Sequence, residues 1–253
     1  MLKDDTSKVV LITGGAKRIG AAIVHAFHTA GWRVVIHYHS AATEAQLLCA
    51  QLNGIKAHSV YTIQLDLTDH ANYAKLISQT VNVWGRLDAL INNASNFLPS
   101  YIGSITADHW QHIFSVNVHA PFFLSQEAFS YLREYNGSIV NITDTHADGR
   151  PIKDYAVYSM SKAALLMQTQ ALARELAPYV RVNAVAPGIS MWDNHMNAGS
   201  SLTVLQEEIL ERTPLKRSAN ENEVAKAVIY LVSDASYTTG STIYVDGGRC
   251  VYN

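Results

Sequence analysis

The sequence predicts an α/β fold: one domain, residues 1–253, built on a doubly wound parallel sheet of about seven strands. Three observations carry this. Short apolar, β-branched runs alternate with segments of helical period from the first residues onward. No Pro/Gly/Ser-rich linker, repeat or low-complexity tract interrupts that alternation. With 48% apolar and 16% charged residues, the 253-residue chain can also bury a sizeable core. Strands joined by helical crossovers pair in parallel, with helices on both faces.

The first strand is expected at 8–13 (KVVLIT), an apolar run suited to a strand covered on both faces. Ile19, Ile23, Phe27 and Ala30 then recur at helical spacing, and Gly31 ends that helix. The second strand is 33–37 (RVVIH), followed by a helix at 43–52 that Asn53-Gly54 closes. Further strands are expected at 59–64, 89–92, 137–142, 181–186 and 242–245, with helical segments between them. The stretch 190–212 breaks the rhythm, with MWDNHMNAGSS before a helical LTVLQEEILER. A long insertion near the strands' carboxyl ends suits a substrate lid.

Composition excludes several classes of function. A net charge of −2 gives no field that would draw the chain onto nucleic acid or anionic lipid. No apolar run reaches the roughly 18 to 20 residues that span a bilayer. The polar start, MLKDDTSK, lacks the architecture of a signal peptide. Cys49 and Cys250 have no metal-ligand or CxxC spacing, and a reduced, cytoplasmic setting is the plain expectation. The eleven histidines form no HExxH motif or Cys/His cluster, so no metal site is expected.

The first strand runs into Thr13-Gly14-Gly15-Ala16-Lys17-Arg18-Ile19-Gly20 and then a helix. Glycines there let the backbone turn sharply and approach a pyrophosphate, which sits at the positive N-terminal end of the helix. Charge then selects the cofactor. NAD-binding versions carry a carboxylate at the end of the second strand for the ribose 2′-hydroxyl. Here RVVIHYHSAAT has none, while Lys17 and Arg18 stand ready for a 2′-phosphate and His39 and Ser40 can add hydrogen bonds. NADP(H) is the cofactor expected.

Tyr158 and Lys162, four residues apart in the helical stretch 154–176, project from one helix face. Free tyrosine has a pKa near 10. The Lys162 ammonium and an oxidised nicotinamide would both lower it, making Tyr158 a usable acid–base group.

Taken together, the spaced set of Thr13-Gly14…Gly20, Asn92-Asn93-Ala94, Asn117, Tyr158…Lys162, Pro187-Gly188 and Asp246-Gly247-Gly248 resembles the short-chain dehydrogenases/reductases, a Rossmann-like family, over almost the whole chain. The resemblance implies Tyr158 as proton donor, Lys162 as its partner and ribose ligand, and Asn117 as holder of a water relay. It implies Asn93, with Ala94 and Ser95, near the cofactor ribose, and Asp66 and Leu67 at the adenine end. Pro187, Gly188 and Ile189 would lie along the nicotinamide. It also implies a homotetramer built on helices at 107–135 and 154–176, where Ala163, Leu166, Met167 and Leu172 spread over more than one helix face.

One departure narrows this. Most of the family carry a catalytic serine after the fifth strand, where this chain reads Asn141-Ile142-Thr143-Asp144. A serine hydroxyl suits a ketone oxygen; a carboxyl suits a nitrogen heterocycle held through N–H donors. Asp144, with Gly14-Gly15-Ala16-Lys17-Arg18-Ile19-Gly20, His37-Tyr38-His39, Asn93-Ala94-Ser95-Asn96-Phe97 and Pro187-Gly188-Ile189-Ser190, resembles the pteridine and dihydromonapterin reductases. In this resemblance Ser95 and Phe97 bind a pterin, the Phe97 ring stacking it against the nicotinamide. Ser190 and Trp192, with Asp193 and His195, shape the substrate side. The family's basic residue after HYH is Ser40 here. Two enzyme readings stay open: an NADPH-dependent reductase of a dihydropterin or dihydrofolate C=N bond, or a carbonyl reductase of 3-oxoacyl thioesters with Thr143 or Thr145 supplying the hydroxyl. A non-enzymatic NADP-sensing protein is the third, and the intact Tyr158, Lys162 and Asn117 argue against it.

Overall fold

The computed structural model describes residues 7–188 and 204–251. A seven-stranded sheet, with every neighbouring pair parallel, runs in the order β3-β2-β1-β4-β5-β6-β7. The strands are β1 Val9–Ile12, β2 Arg33–Tyr38, β3 Val60–Gln64, β4 Ala89–Asn92, β5 Ser138–Ile142, β6 Arg181–Pro187 and β7 Thr242–Val245. The chain moves outward from β1 to β3, then returns to pair β4 on the other side of β1. That reversal opens a crevice at the carboxyl ends of β1 and β4, where ligands bind in open α/β sheets.

Alternation along the strands builds two cores. Val10, Ile12, Val34, Ile36, Ile91 and Val140 face one side, covered by α1 (Arg18–Thr29), α2 (Ala42–Ile55) and the last long helix, Glu221–Ser233. Val9, Leu11, Val35, Leu90, Ile139 and Val182 face the other, under α3 (Tyr73–Trp84), α5 (Ala120–Glu134) and α6 (Ala156–Glu175). Each such side chain contributes about 1.5 to 3 kcal/mol on full burial. The remaining helices are α4 (Ala107–Phe114) and α7 (Val204–Glu211), so that Glu221–Ser233 is α8. Among the described residues no helix is long and apolar enough to cross a membrane.

Two expectations are corrected. The second helix runs through Asn53-Gly54 to Ile55, because the Asn53 amide is used elsewhere. It accepts from Ser59 N at 2.9 Å and Val60 N at 3.0 Å, and donates to Val60 O at 2.9 Å, pinning helix to strand. Several strand limits move by a residue, with β2 extending to Tyr38 and β6 to Pro187. Along α6, Leu172 lies in the core at 7% exposure and Met167 is 62% exposed, on different faces of the helix.

Between α4 and α5 the backbone widens into a π-helical turn, Ser115–His119. Pro121 has no N–H to offer the carbonyl of Asn117 four residues earlier. Such π-bulges concentrate at functional sites.

Candidate active site

The glycine turn is shaped before any ligand arrives. Gly14 has φ +60°, and a Cβ there would stand 3.0 Å from Ala94 Cα. A Cβ on Gly20 would lie 2.2 Å from Gly14 O, so neither position tolerates a side chain. The Thr13 hydroxyl accepts from Asn93 N at 2.9 Å and Ala94 N at 3.1 Å. Asn93 Nδ2 donates to Thr13 O at 2.9 Å and Gly14 O at 3.0 Å, tying the turn to the end of β4. α1 begins at Arg18 with no acidic residue in its first turn and no side-chain cap, so its N-terminal N–H groups and dipole face the turn uncompensated. A glycine cradle at a helix N-terminus fits a dinucleotide pyrophosphate.

Sequence reasoning missed the part played by His37. Its Nε2 lies 3.0 Å from Leu65 O and its Nδ1 accepts from Gly14 N at 3.2 Å, which fixes a neutral tautomer protonated on Nε2. Burial lowers its pKa from 6.5 to about 4, against the opposing hydrogen bond to Leu65. The unfolded chain therefore binds this proton near pH 6.5 and the folded chain only near 4. Stability should fall as pH drops through that window, by about 3 kcal/mol in all. Denaturant midpoints across the window check this: His37→Gln should lose less stability on acidification than the parent. Equal losses would remove His37 as the cause.

The basic residues of the turn are less free than the sequence implied. Lys17 Nζ pairs with Glu44 Oε1 at 2.6 Å, so a carboxylate just beyond the second strand competes for it. His39 Nε2 approaches Asp66 Oδ2 at 3.7 Å, both side chains well exposed. Arg18 occupies the first position of α1 with φ +52°, and Ser40, two residues after β2, is exposed. Leu67 is buried, its carbonyl taken by the Tyr73 hydroxyl at 2.6 Å.

The fifth strand and α6 bring Asp144, Tyr158 and Lys162 together. The Tyr158 hydroxyl donates to Asp144 Oδ2 at 2.6 Å. Lys162 Nζ donates to Ile142 O at 2.9 Å and stands 5.8 Å from the centre of the Tyr158 ring. The expected lowering of the Tyr158 pKa is absent from this arrangement. Burial and the Asp144 charge push it well above 10, so the hydroxyl keeps its proton. Burial lowers Lys162 to about 8, the Asp144 charge opposing. Asp144 itself is pushed up by burial, but hydrogen bonds from His146 and Tyr158 outweigh this and hold it below the usual carboxylate range. His146 supplies two of those bonds, from Nδ1 at 2.7 Å and from its backbone N at 2.8 Å. Nothing in the sequence pattern singled His146 out.

The two threonines weighed as alternative hydroxyl donors sit differently. Thr143 spends its hydroxyl on Val185 O at 3.2 Å, and both Thr143 and Thr145 are buried. Asp144 alone of the three meets Tyr158.

Asn117 is fully buried, and its amide is committed: it accepts from Asn96 N at 2.7 Å and Ser95 Oγ at 3.2 Å, and donates to Asn96 O at 3.0 Å and Ser161 Oγ at 2.9 Å. It thus fixes the loop that carries Ser95 and Phe97 against α6. Phe97 is 53% exposed; one face stacks on Tyr155, 4.3 Å between centres, and its edge meets Tyr158 at 4.7 Å. Tyr155, which the motif reading passed over, completes an aromatic wall beside the proton donor. Gly188 closes on Asp246, where a Cβ would meet Asp246 Cα at 2.7 Å, and Pro187 ends β6 next to it. Ile189, Ser190, Trp192, Asp193 and His195, with most of the expected lid, lie outside the described residues.

A glycine cradle at a sheet's switch point, beside a Tyr–Lys pair on one helix, defines a dinucleotide-dependent oxidoreductase. The chain belongs to the short-chain dehydrogenase/reductase family. Residues 14–249 match the family model described as Enoyl-(Acyl carrier protein) reductase. Pteridine reductase 1 of Leishmania tarentolae is 34% identical, over 98% of this chain and 98% of its own length. Glucose 1-dehydrogenase 2 of Bacillus subtilis is 32% identical over 100% and 98%, and L-xylulose reductase of Caenorhabditis elegans 36% over 97% and 96%.

Proposed function

We propose that this protein is an NADPH-dependent reductase acting on the C=N bond of a dihydropterin. The observation that carries the reading is the Asp144 carboxylate, hydrogen-bonded to the Tyr158 hydroxyl where a ketone reductase would hold a serine. The exposed Phe97 ring beside it suits a flat heterocycle, and a relative named Pteridine reductase 1 aligns over nearly the full chain.

NADPH, when bound, supplies the hydride that reduces the substrate carbon. Gly14, Gly20 and the N-terminus of α1 would hold its pyrophosphate, and Lys162 its ribose. Tyr158 donates the proton to the ring nitrogen that becomes N–H. A phenolate left beside an ionised carboxylate would be unfavourable. Asp144 therefore relays a proton to Tyr158 from His146 Nδ1 while the imidazole takes one from solvent on Nε2, and Lys162 stabilises the charge in transit. Carbonyl reduction, the competing reading, would want a hydroxyl where Asp144 stands. Following NADPH oxidation against dihydropterins, dihydrofolate and 3-oxoacyl thioesters tests the assignment; turnover confined to the thioesters would overturn it.

The preference for NADPH over NADH rests on Arg18 and Lys17 at the turn, Lys17 standing also beside Glu44. Arg18→Ala should raise the NADPH dissociation constant by about tenfold, the loss of one charge-assisted hydrogen bond, and leave NADH nearly unchanged. Equal weakening of both would sink the 2′-phosphate assignment. The free thiols Cys49 and Cys250 suit a reducing, cytoplasmic setting. The half-exposed Trp110, Phe122 and Met160, with Met167, support a homotetramer through α4, α5 and α6; a light-scattering mass of one chain would refute it.

A further inference from the structure

Beside the proton-transfer groups lies a second feature that the reduction of a pterin ring does not use. A cavity of about 490 Å³ is lined by Thr145, His146, Arg150, Arg212 and Arg249 among others, and none of its lining residues is acidic. Three guanidinium groups from separate parts of the chain converge on it: the loop before α6, the end of α7 and the turn after β7.

These arginines differ from others in the molecule. Arg86 is paired with Asp88, Arg217 with Glu223, and Arg181 is spent on the carbonyls of Leu231, Val232 and Ala235. Among the described residues, the side chains of Arg150, Arg212 and Arg249 make no hydrogen bond or ion pair, and Arg249 Nη1 is buried without a partner. Arg212 and Arg249 also repel each other. A buried, unpartnered guanidinium nitrogen next to a like charge is unfavourable unless something negative joins it.

The carboxylates within electrostatic reach are all taken. Asp144 is held by His146 and Tyr158. Asp246 accepts from the backbone N–H groups of Gly248 at 2.9 Å and Cys250 at 2.7 Å. Asp148 accepts from the Tyr244 hydroxyl at 3.2 Å. Asp144 and Asp246 offset part of the Arg249 charge through space, but among the described residues no carboxylate forms an ion pair with any of the three guanidinium groups.

We propose that this cavity holds the anionic end of the substrate, a carboxylate or phosphate carried on the pterin's side chain. The inference rests on the pterin reading for what the anion is attached to, but the anion site itself does not. His146 connects the two places: its ring lines the cavity and its Nδ1 meets Asp144, which meets Tyr158. A molecule reduced beside Tyr158 thus has the cavity two side chains away. Planar guanidinium forks match carboxylate and phosphate geometry in pairs of hydrogen bonds.

The test uses the full chain loaded with NADPH and two probes without a pterin ring, p-aminobenzoylglutamate and inorganic phosphate, titrated by calorimetry. At least one should bind, and Arg150→Gln with Arg212→Gln should weaken it by about tenfold or more. These two arginines are exposed, so the double variant should fold; Arg249→Lys, which keeps the charge but not the fork, should weaken binding less. Tighter binding of p-aminobenzoylglutamate identifies a carboxylate tail, and tighter binding of phosphate a phosphorylated one. In turnover, the preference for an anionic over a neutral dihydropterin should fall in parallel. Absence of binding by both probes, or binding the double variant leaves unchanged, overturns the proposal. Reduction of no pterin at all, with probe binding intact, overturns the pterin reading and leaves the anion site standing.

Discussion

Tyr158→Phe is expected to slow pterin reduction by about 10²- to 10⁴-fold, the contribution of a positioned general acid, while NADPH binding is nearly unchanged. The hydroxyl is the only group that the change removes, and it donates to Asp144 at 2.6 Å rather than supporting the core. Phenylalanine keeps the ring that meets the edge of Phe97. Lys162→Ala should behave differently. Its ammonium is buried on the Ile142 carbonyl, and its loss should lower turnover and weaken cofactor binding together. Single-turnover rates with each variant, alongside NADPH titrations, separate the two roles. A Tyr158→Phe enzyme with parental turnover would show that the proton comes from elsewhere, with Asp144 or His146 the next groups to vary.

The sheet was legible because strands covered on both faces read as apolar runs, as VVLI at β1 and the first three residues of β4, ALI, do. Element ends were less so, since they depend on which polar group takes a backbone partner. Asn53-Gly54 reads as a stop until Ser59 and Val60 arrive to occupy the Asn53 amide. Site residues held by backbone necessity were also legible: Gly14 and Gly20 have no room for a Cβ, and Tyr158 and Lys162 share a helix face. What sequence spacing could not give was the sign of the Tyr158 pKa shift. That depends on the 14-residue excursion between Asp144 and Tyr158 returning to within hydrogen-bonding distance. The same excursion carries His146 onto Asp144. Arg150, Arg212 and Arg249 lie far apart in the chain, and only the fold brings them to one cavity.

Asp144→Ser is the substitution that divides pterin from carbonyl reduction. Its carboxylate accepts from Tyr158 and His146, so replacing it removes one charged acceptor from two donors. If the carboxylate orients a pterin ring and relays the proton, reduction should fall by one to two orders of magnitude. That matches the loss of a charged hydrogen bond of about 1.5 to 3 kcal/mol. Weak carbonyl reductase activity should be kept or rise, because serine restores a hydroxyl that suits a ketone oxygen. A purely structural role for Asp144 makes a different forecast, and the pH profile distinguishes them. The Asp144 charge is one reason, after burial, that the Tyr158 pKa stands well above its usual value. Removing it should bring the Tyr158 titration downward, visible as tyrosinate absorbance at lower pH, in a variant whose unfolding transition shows that the fold, and with it the burial of Tyr158, is kept. An Asp144→Ser enzyme that reduces pterins at the parental rate, from a parent already efficient on ketones, would transfer the assignment to carbonyl reduction. The cofactor cradle would stand as it is, and Tyr158 and Lys162 would keep their places on one helix, with only the charge beside them changed.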